Sequence, residues 1–232
     1  MEATYTYPTI EEMLYRYVFP VVKFRQTDEI GYQPLAAVGT GFTFGEGTFV
    51  TCWHCVSGVL DTDIFYGVPF GDDMSHPSKV AILDNIRRAR SGADLVVATV
   101  GIGIKPTLRL SASPAKWGRD VLGLGFPHPE NTVNPATNEP LIRTQSRVLK
   151  GYVSAVGNHS TGGAREAMYY ELGMKVPMWA SGSPLMDADT LEIVGVLAGE
   201  RTSEVGHSGE FTVGLALHLD VLREAIKSRT TS

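Results

Sequence analysis

Gly39-Thr40-Gly41-Phe42-Thr43-Phe44-Gly45-Glu46-Gly47-Thr48-Phe49-Val50-Thr51-Cys52-Trp53-His54-Cys55 is the stretch on which the reading of this chain turns. Residues 35–44 and 48–52 are rich in β-branched, aromatic and other apolar side chains, and Gly45-Glu46-Gly47 separates them. They read as two strands of a hairpin. The apolar run through Val50 anchors the backbone, and His54 follows where the strand ends. A titratable ring is thus expected to project from a turn held by a rigid strand.

The same punctuation continues along the chain. Short apolar runs bounded by Gly, Pro, Asn and Asp predict strands at residues 18–24, 62–66, 79–83, 95–100, 120–125, 145–156, 167–172, 184–186, 193–198 and 210–216. Helix-length segments between them, which a parallel sheet requires, are largely missing. The expectation is an all-β sandwich or barrel. Two helices flank it. Thr9-Ile10-Glu11-Glu12 is a capping box, so a helix is expected over residues 10–17, limited by Pro20. A closing helix is expected from Asp220 as its cap through Ile226. Arg223, Lys227 and Arg229 lie toward its C-terminal end, where cations suit the helix dipole. Residues 129–140 read as a long polar loop. With no repeat and no low-complexity linker, 232 residues read as one domain.

Composition narrows the function classes. At 43% hydrophobic and 19% charged the chain is globular rather than disordered. A net charge of −5 with no long basic run counts against a nucleic-acid surface. No run of about 18 apolar residues is present, so no membrane helix is expected. Met1-Glu2-Ala3-Thr4-Tyr5 lacks the charged and apolar segments of a secretory signal, so a cytoplasmic location is expected. Cys52 and Cys55 bracket His54 at a spacing that suggests metal or redox chemistry. Zinc needs three or four ligands, and no second cysteine pair exists, so two buried reduced thiols and no metal or other cofactor are expected.

Three residues have the chemistry to work together. A serine hydroxyl is a weak nucleophile near neutral pH; it needs a base, and the base needs a partner that fixes its tautomer. Ser181 opens Ser181-Gly182-Ser183-Pro184, where glycine permits unusual dihedrals and close backbone approach. Asp94 precedes the apolar run Leu95-Val96-Val97-Ala98-Thr99-Val100; buried there, it needs a partner, which His54 can be. The rivals are weaker. Asp63 and Asp84 lack so apolar a run, Ser183 stands against Pro184, and His76, His128, His159 and His207 lie in loops. His218 reads as a late-strand or helix-entry residue.

In this order and spacing the chain resembles the chymotrypsin-like (trypsin-like) serine peptidases. The matching pieces are Gly39-Thr40-Gly41-Phe42 leading to His54, then Asp94-Leu95-Val96-Val97, then Ser181-Gly182-Ser183-Pro184. Gly123-Leu124-Gly125-Phe126-Pro127, Gly151-Tyr152-Val153-Ser154-Ala155 and Ile193-Val194-Gly195-Val196-Leu197-Ala198-Gly199 support them. The Ser-Gly-Ser-Pro form is similar to the glutamyl endopeptidase branch and other compact bacterial members. The resemblance implies two packed antiparallel β-barrels, over residues 18–110 and 111–217, with a closing helix at 220–228. It implies a serine endopeptidase with a His54, Asp94, Ser181 triad and an oxyanion hole from the backbone amides of Trp179 and Ser181. Lys175 would fall near the base of the substrate pocket, with Leu197, Ala198 and Gly199 on one wall. Such a lysine would disfavour basic side chains and attract acidic ones.

The chain also departs from that family. Trp179 stands where glycine is usual, and a bulky residue disfavours positive φ. This leaves an alternative: a catalytically dormant fold that binds proteins or requires an activating partner. An esterase using the same triad is a third option. Ala180 replaces the aspartate that pairs with a freshly cut N-terminus in the digestive branch, so activation by clipping is not expected. Cys55 matches one half of a usual disulfide, and nothing upstream matches the other. The expected partners are a protein or peptide substrate and an activating protein, with no nucleic acid and no membrane.

Overall fold

A computed structural model describes residues 8–28, 31–44, 47–58, 62–70, 79–103, 108–133, 140–204 and 210–230. Gly45, Glu46, His76, His207 and residues 134–139 lie outside the described residues. Helix α1 (Ile10–Arg16) opens the chain with the anticipated capping box. The Glu12 amide donates to Thr9 Oγ1 at 3.2 Å, and the Thr9 amide donates to Glu12 Oε2 at 2.9 Å. Its buried Met13 and Leu14 join the main hydrophobic core cluster.

That barrel comprises β1 (Val18–Thr27), β2 (Gly31–Phe44), β3 (Thr48–Thr51), β4 (Ile64–Phe70), β5 (Lys79–Arg88) and β6 (Val96–Val100). Helix α2 (Trp53–Val56), a single turn, follows β3. The strands close in the order β1-β2-β3-β6-β5-β4, antiparallel throughout. The hairpin read from sequence is the β2–β3 pair, with Phe42 opposite Val50 and Gly41 opposite Thr51. The second barrel comprises β7 (Asp120–Gly125), β10 (Arg147–His159), β11 (Ala167–Leu172), β12 (Pro184–Asp187), β13 (Ile193–Glu204) and β14 (Glu210–His218). It closes in the order β10-β11-β14-β13-β12-β7. The fold is therefore all-β, two closed antiparallel barrels with a helix at each end. Among the described residues no helix is long and apolar enough to cross a membrane.

Two expectations change. Residues 129–140 are not simply a loop, because β8 (Glu130–Val133) pairs with β9 (Pro140–Arg143) as a separate hairpin. Its polar residues and prolines conceal the strands, since backbone pairing does not require an apolar face. The closing helix α3 (Leu219–Thr230) begins one residue before Asp220. His218 caps it instead: Nδ1 accepts the Asp220 amide at 3.3 Å. A side chain ending in an acceptor nitrogen does what the aspartate was expected to do.

Gly41 shows how tightly β2 and β3 meet. A Cβ there would lie 2.3 and 2.4 Å from ring atoms of Phe49, which is fully buried. Gly41→Ala is therefore expected to lower stability by about 1–3 kcal/mol through overpacking. Thermal unfolding of the variant checks this, and an unchanged midpoint would place the Phe49 ring elsewhere.

Candidate active site

The β2–β3 hairpin delivers His54 onto α2, directly after β3 leaves the barrel. Asp94 sits just before β6, the neighbour of β3, so hydrogen bonding between these strands carries the two residues together across 40 positions. Asp94 is completely buried. Its Oδ1 accepts the His54 backbone amide at 2.9 Å, and its Oδ2 lies 2.6 Å from His54 Nδ1. Thr161 Oγ1 donates to that same Oδ2 at 2.8 Å, and it also lies 2.8 Å from the Tyr169 hydroxyl. Three donors thus compensate the carboxylate for the water it has lost.

An ionised carboxylate only accepts, so the proton resides on Nδ1, and a neutral imidazole presents a lone pair at Nε2. Arg88 braces the arrangement from outside. Its Nη2 donates to the Gly92 carbonyl at 2.7 Å and its Nε to the Ala93 carbonyl at 3.2 Å, beside Asp94. Its guanidinium lies 5.2 Å from the ring centroid of Trp53, beside His54. Gly162, at φ +56°, approaches the imidazole so closely that a Cβ there would lie 2.6 Å from His54 Cβ.

Ser181 lies on the segment between β11 and β12, in the second barrel, and is 9% exposed. Two tight turns shape this segment. The Ala180 amide donates to the Pro177 carbonyl at 3.1 Å with Trp179 at φ +67°, and the Ser183 amide donates to the Ala180 carbonyl at 3.1 Å with Gly182 at φ +90°. A positive φ at the third residue is the signature of a type II turn. Trp179 thus adopts the left-handed backbone that its identity disfavours. The segment is fastened to the first barrel. Thr40 donates its amide to the Ser181 carbonyl at 2.9 Å and its hydroxyl to the Trp179 carbonyl at 2.9 Å. The Cys55 thiol, one residue from His54, also reaches the Ser181 carbonyl at 3.7 Å. Among the described residues, neither the Trp179 nor the Ser181 amide donates to another protein group.

Both cysteines are free and buried. Cys52 Sγ, a His54 ring nitrogen and an Asp94 carboxylate oxygen lie within 4.8 Å of one another, a grouping that could hold a metal ion. These atoms are already committed. The Cys52 thiol donates to the Leu197 carbonyl at 3.2 Å, and burial, reinforced by Asp94, pushes its pKa well above the usual thiol range. A metal would require the thiolate.

The residues read as a substrate pocket divide. Lys175 is exposed, Gly199 forms a bulge at φ +136°, and Ala198 is buried. The Leu197 side chain packs in the second barrel's core while its carbonyl accepts the Gly182 amide at 2.7 Å. Thr161, Arg88 and Gly162 carried no sequence signal. Thr161 lies in a polar Ser-Thr-Gly-Gly run, where a loop is all that local composition announces.

A buried Asp–His pair beneath the seam of two six-stranded barrels defines a trypsin-like architecture, and a model of the trypsin-like peptidase domain matches residues 39–196. The chain belongs to that family. It is 27% identical over 177 residues to the serine proteases MT3772 and Rv3671c of two Mycobacterium tuberculosis strains, CDC 1551 / Oshkosh and H37Rv. The match covers 76% of this chain and 39% of each relative, so this chain corresponds to well under half of their length. The crystal structure of the active form of Rv3671c protease superimposes with a TM-score of 0.63 at 18% identity, covering 98% of this chain and 92% of that one. Its inactive form gives 0.56 at 21% identity, covering 90% and 88%.

Burial lowers the pKa of His54, but its hydrogen bond and charge interaction with Asp94 outweigh that and hold it above 6.5. The imidazole is expected to titrate above that value in an NMR titration. Asp94→Asn removes the stabilising charge and leaves the desolvation, so the pKa should fall. Equal titration in both proteins would contradict the pairing.

Proposed function

We propose that the chain is a serine endopeptidase in which Ser181 is the nucleophile, His54 the base and then the acid, and Asp94 the group that orients the imidazole. The observation that carries this reading is the 2.6 Å contact between His54 Nδ1 and the buried Asp94 Oδ2. It lies on the first barrel, to which the Ser181 backbone is also tied. In the proposed reaction Ser181 Oγ bonds to the carbonyl carbon of a peptide while its proton passes to His54 Nε2. The carbonyl oxygen becomes an oxyanion within reach of the Trp179 and Ser181 amides. Collapse breaks the C–N bond, and the amine leaves with the proton from Nε2. Water then attacks the acyl-enzyme by the same route in reverse.

The left-handed backbone of Trp179 and the uncommitted amides favour an assembled oxyanion hole over the dormant alternative. The reading puts the substrate side chain between Lys175-Val176 and the Gly199 bulge. There the Val176 amide donates to Glu200 Oε1 at 2.8 Å. Lys175, exposed beside Val176, disfavours basic side chains there and attracts acidic ones.

A fluorophosphonate probe tests the assignment. It should label the wild type covalently and leave Ser181→Ala unlabelled; equal labelling of both would reject Ser181. Removal of Ser181 or His54 should lower kcat by about 10⁴-fold or more. Only the neutral imidazole accepts the proton, and the His54 pKa is raised. The acidic limb of kcat/KM against pH is therefore expected above 6.5, with activity lost as pH falls through it. A limb below 6.5 would contradict the raised His54 pKa.

A further inference from the structure

The side chain that ties the Ser181 segment to the opposite barrel is neither charged nor exposed. Thr40, fully buried on β2, makes four hydrogen bonds that converge from three parts of the chain. Its amide donates to the Ser181 carbonyl at 2.9 Å. Its hydroxyl donates to the Trp179 carbonyl at 2.9 Å and accepts the Phe126 amide at 3.1 Å. Its own carbonyl accepts the Thr51 hydroxyl at 2.6 Å. The hydroxyl has one proton to give and is flanked by one acceptor and one donor, so both of its capacities are used.

The two carbonyls that Thr40 holds belong to Trp179 and Ser181, the residues whose amides face no protein acceptor. Each peptide unit is rigid, so fixing these carbonyls constrains the backbone on either side of Ser181. Trp179 contributes no such constraint by itself. Its left-handed conformation is unfavourable by about 1–2 kcal/mol for a residue with a Cβ, and only surrounding structure keeps it there. Its ring meets His128 edge-on, with centroids 6.3 Å apart, and His128 lies two residues beyond Phe126, whose amide the same hydroxyl accepts. Thr40 also belongs to the strand whose hairpin partner, β3, leads into His54. One buried hydroxyl thus sets the Ser181 segment against the element that carries the base.

We propose that Thr40 is a positioning residue for the reaction, acting through its hydroxyl to hold the Trp179–Ser181 backbone in register with His54. This inference rests on the peptidase reading above. A displacement of about 1 Å in such a constellation lowers rate by about 10²-fold while binding is largely kept.

The experiment compares wild type, Thr40→Val and Thr40→Ser by peptide hydrolysis and by the rate of fluorophosphonate labelling. Thr40→Val keeps the shape and the backbone amide and removes only the hydroxyl. It should lower kcat and the labelling rate by about 10–10²-fold with KM within about twofold, and Thr40→Ser should restore both to within about threefold. A folded Thr40→Val protein that turns over and labels at the wild-type rate overturns the proposal and leaves the peptidase reading standing. A serine variant as impaired as the valine one also overturns it. Failure of the wild type itself to label overturns the peptidase reading and this inference with it. If Thr40→Val does not fold, Thr40→Ala, which also removes the hydroxyl, should show the same loss of kcat relative to Thr40→Ser without loss of binding; equal kcat in those two variants overturns the proposal.

Discussion

Gly182 approaches the first barrel so closely that a Cβ on it would lie 1.9 Å from the Thr40 carbonyl oxygen and 2.4 Å from Thr51 Oγ1. No other residue fits. The candidate site depends on this contact, because it lets the Ser181 segment of one barrel lie flat against the strands that carry His54 and Asp94 in the other. Gly39 continues the same seam, where a Cβ would lie 2.5 Å from Cys55 Sγ and 3.0 Å from the Ser181 carbonyl. Two missing side chains and one threonine bring three distant segments together. The barrels then supply stiffness, since closure leaves no sheet edge along which the segments could slide.

The buried Asp94 carboxylate is the second constraint, and it is electrostatic. Burying an ion without partners is strongly unfavourable, so its donors decide whether the site can exist at all. Two of them come from His54, and the third, Thr161, comes from the loop between β10 and β11 on the other barrel. The Asp–His pair is therefore completed across the seam rather than within one barrel. Gly162, next in the chain, packs on the imidazole, so one short loop both satisfies the carboxylate and limits the motion of the His54 ring.

Much of this was legible in the sequence. Apolar runs bounded by glycine and proline located the strands, because a buried strand needs little besides side chains that fit a half-buried pleat. The Thr9–Glu12 capping box is a local device, and local composition announced it. The His54–Asp94 pair was legible because each member sits at one end of an apolar strand, a position that periodicity marks. Thr161 was not, since its role comes from long-range packing and its neighbours are ordinary loop residues. The β8–β9 hairpin escaped because its pairing is satisfied by the backbone. His218 escaped as a helix cap because aspartate two residues later matched the usual pattern. Trp179 stood out only against the glycine usual in the family that the chain resembles, and the sequence held no sign that Thr40 would engage its carbonyl.

The central claim is that the two barrels aim the Ser181 hydroxyl and the Trp179 and Ser181 amides at one acyl group. A crystal structure of the protein soaked with a peptidyl boronic acid tests it most directly. The account predicts a covalent bond from Ser181 Oγ to boron, with one boronate oxygen accepting from both amides and the Trp179 carbonyl still bound to Thr40. Boron attached elsewhere, or an oxygen that turns away from the Trp179 amide, would contradict it.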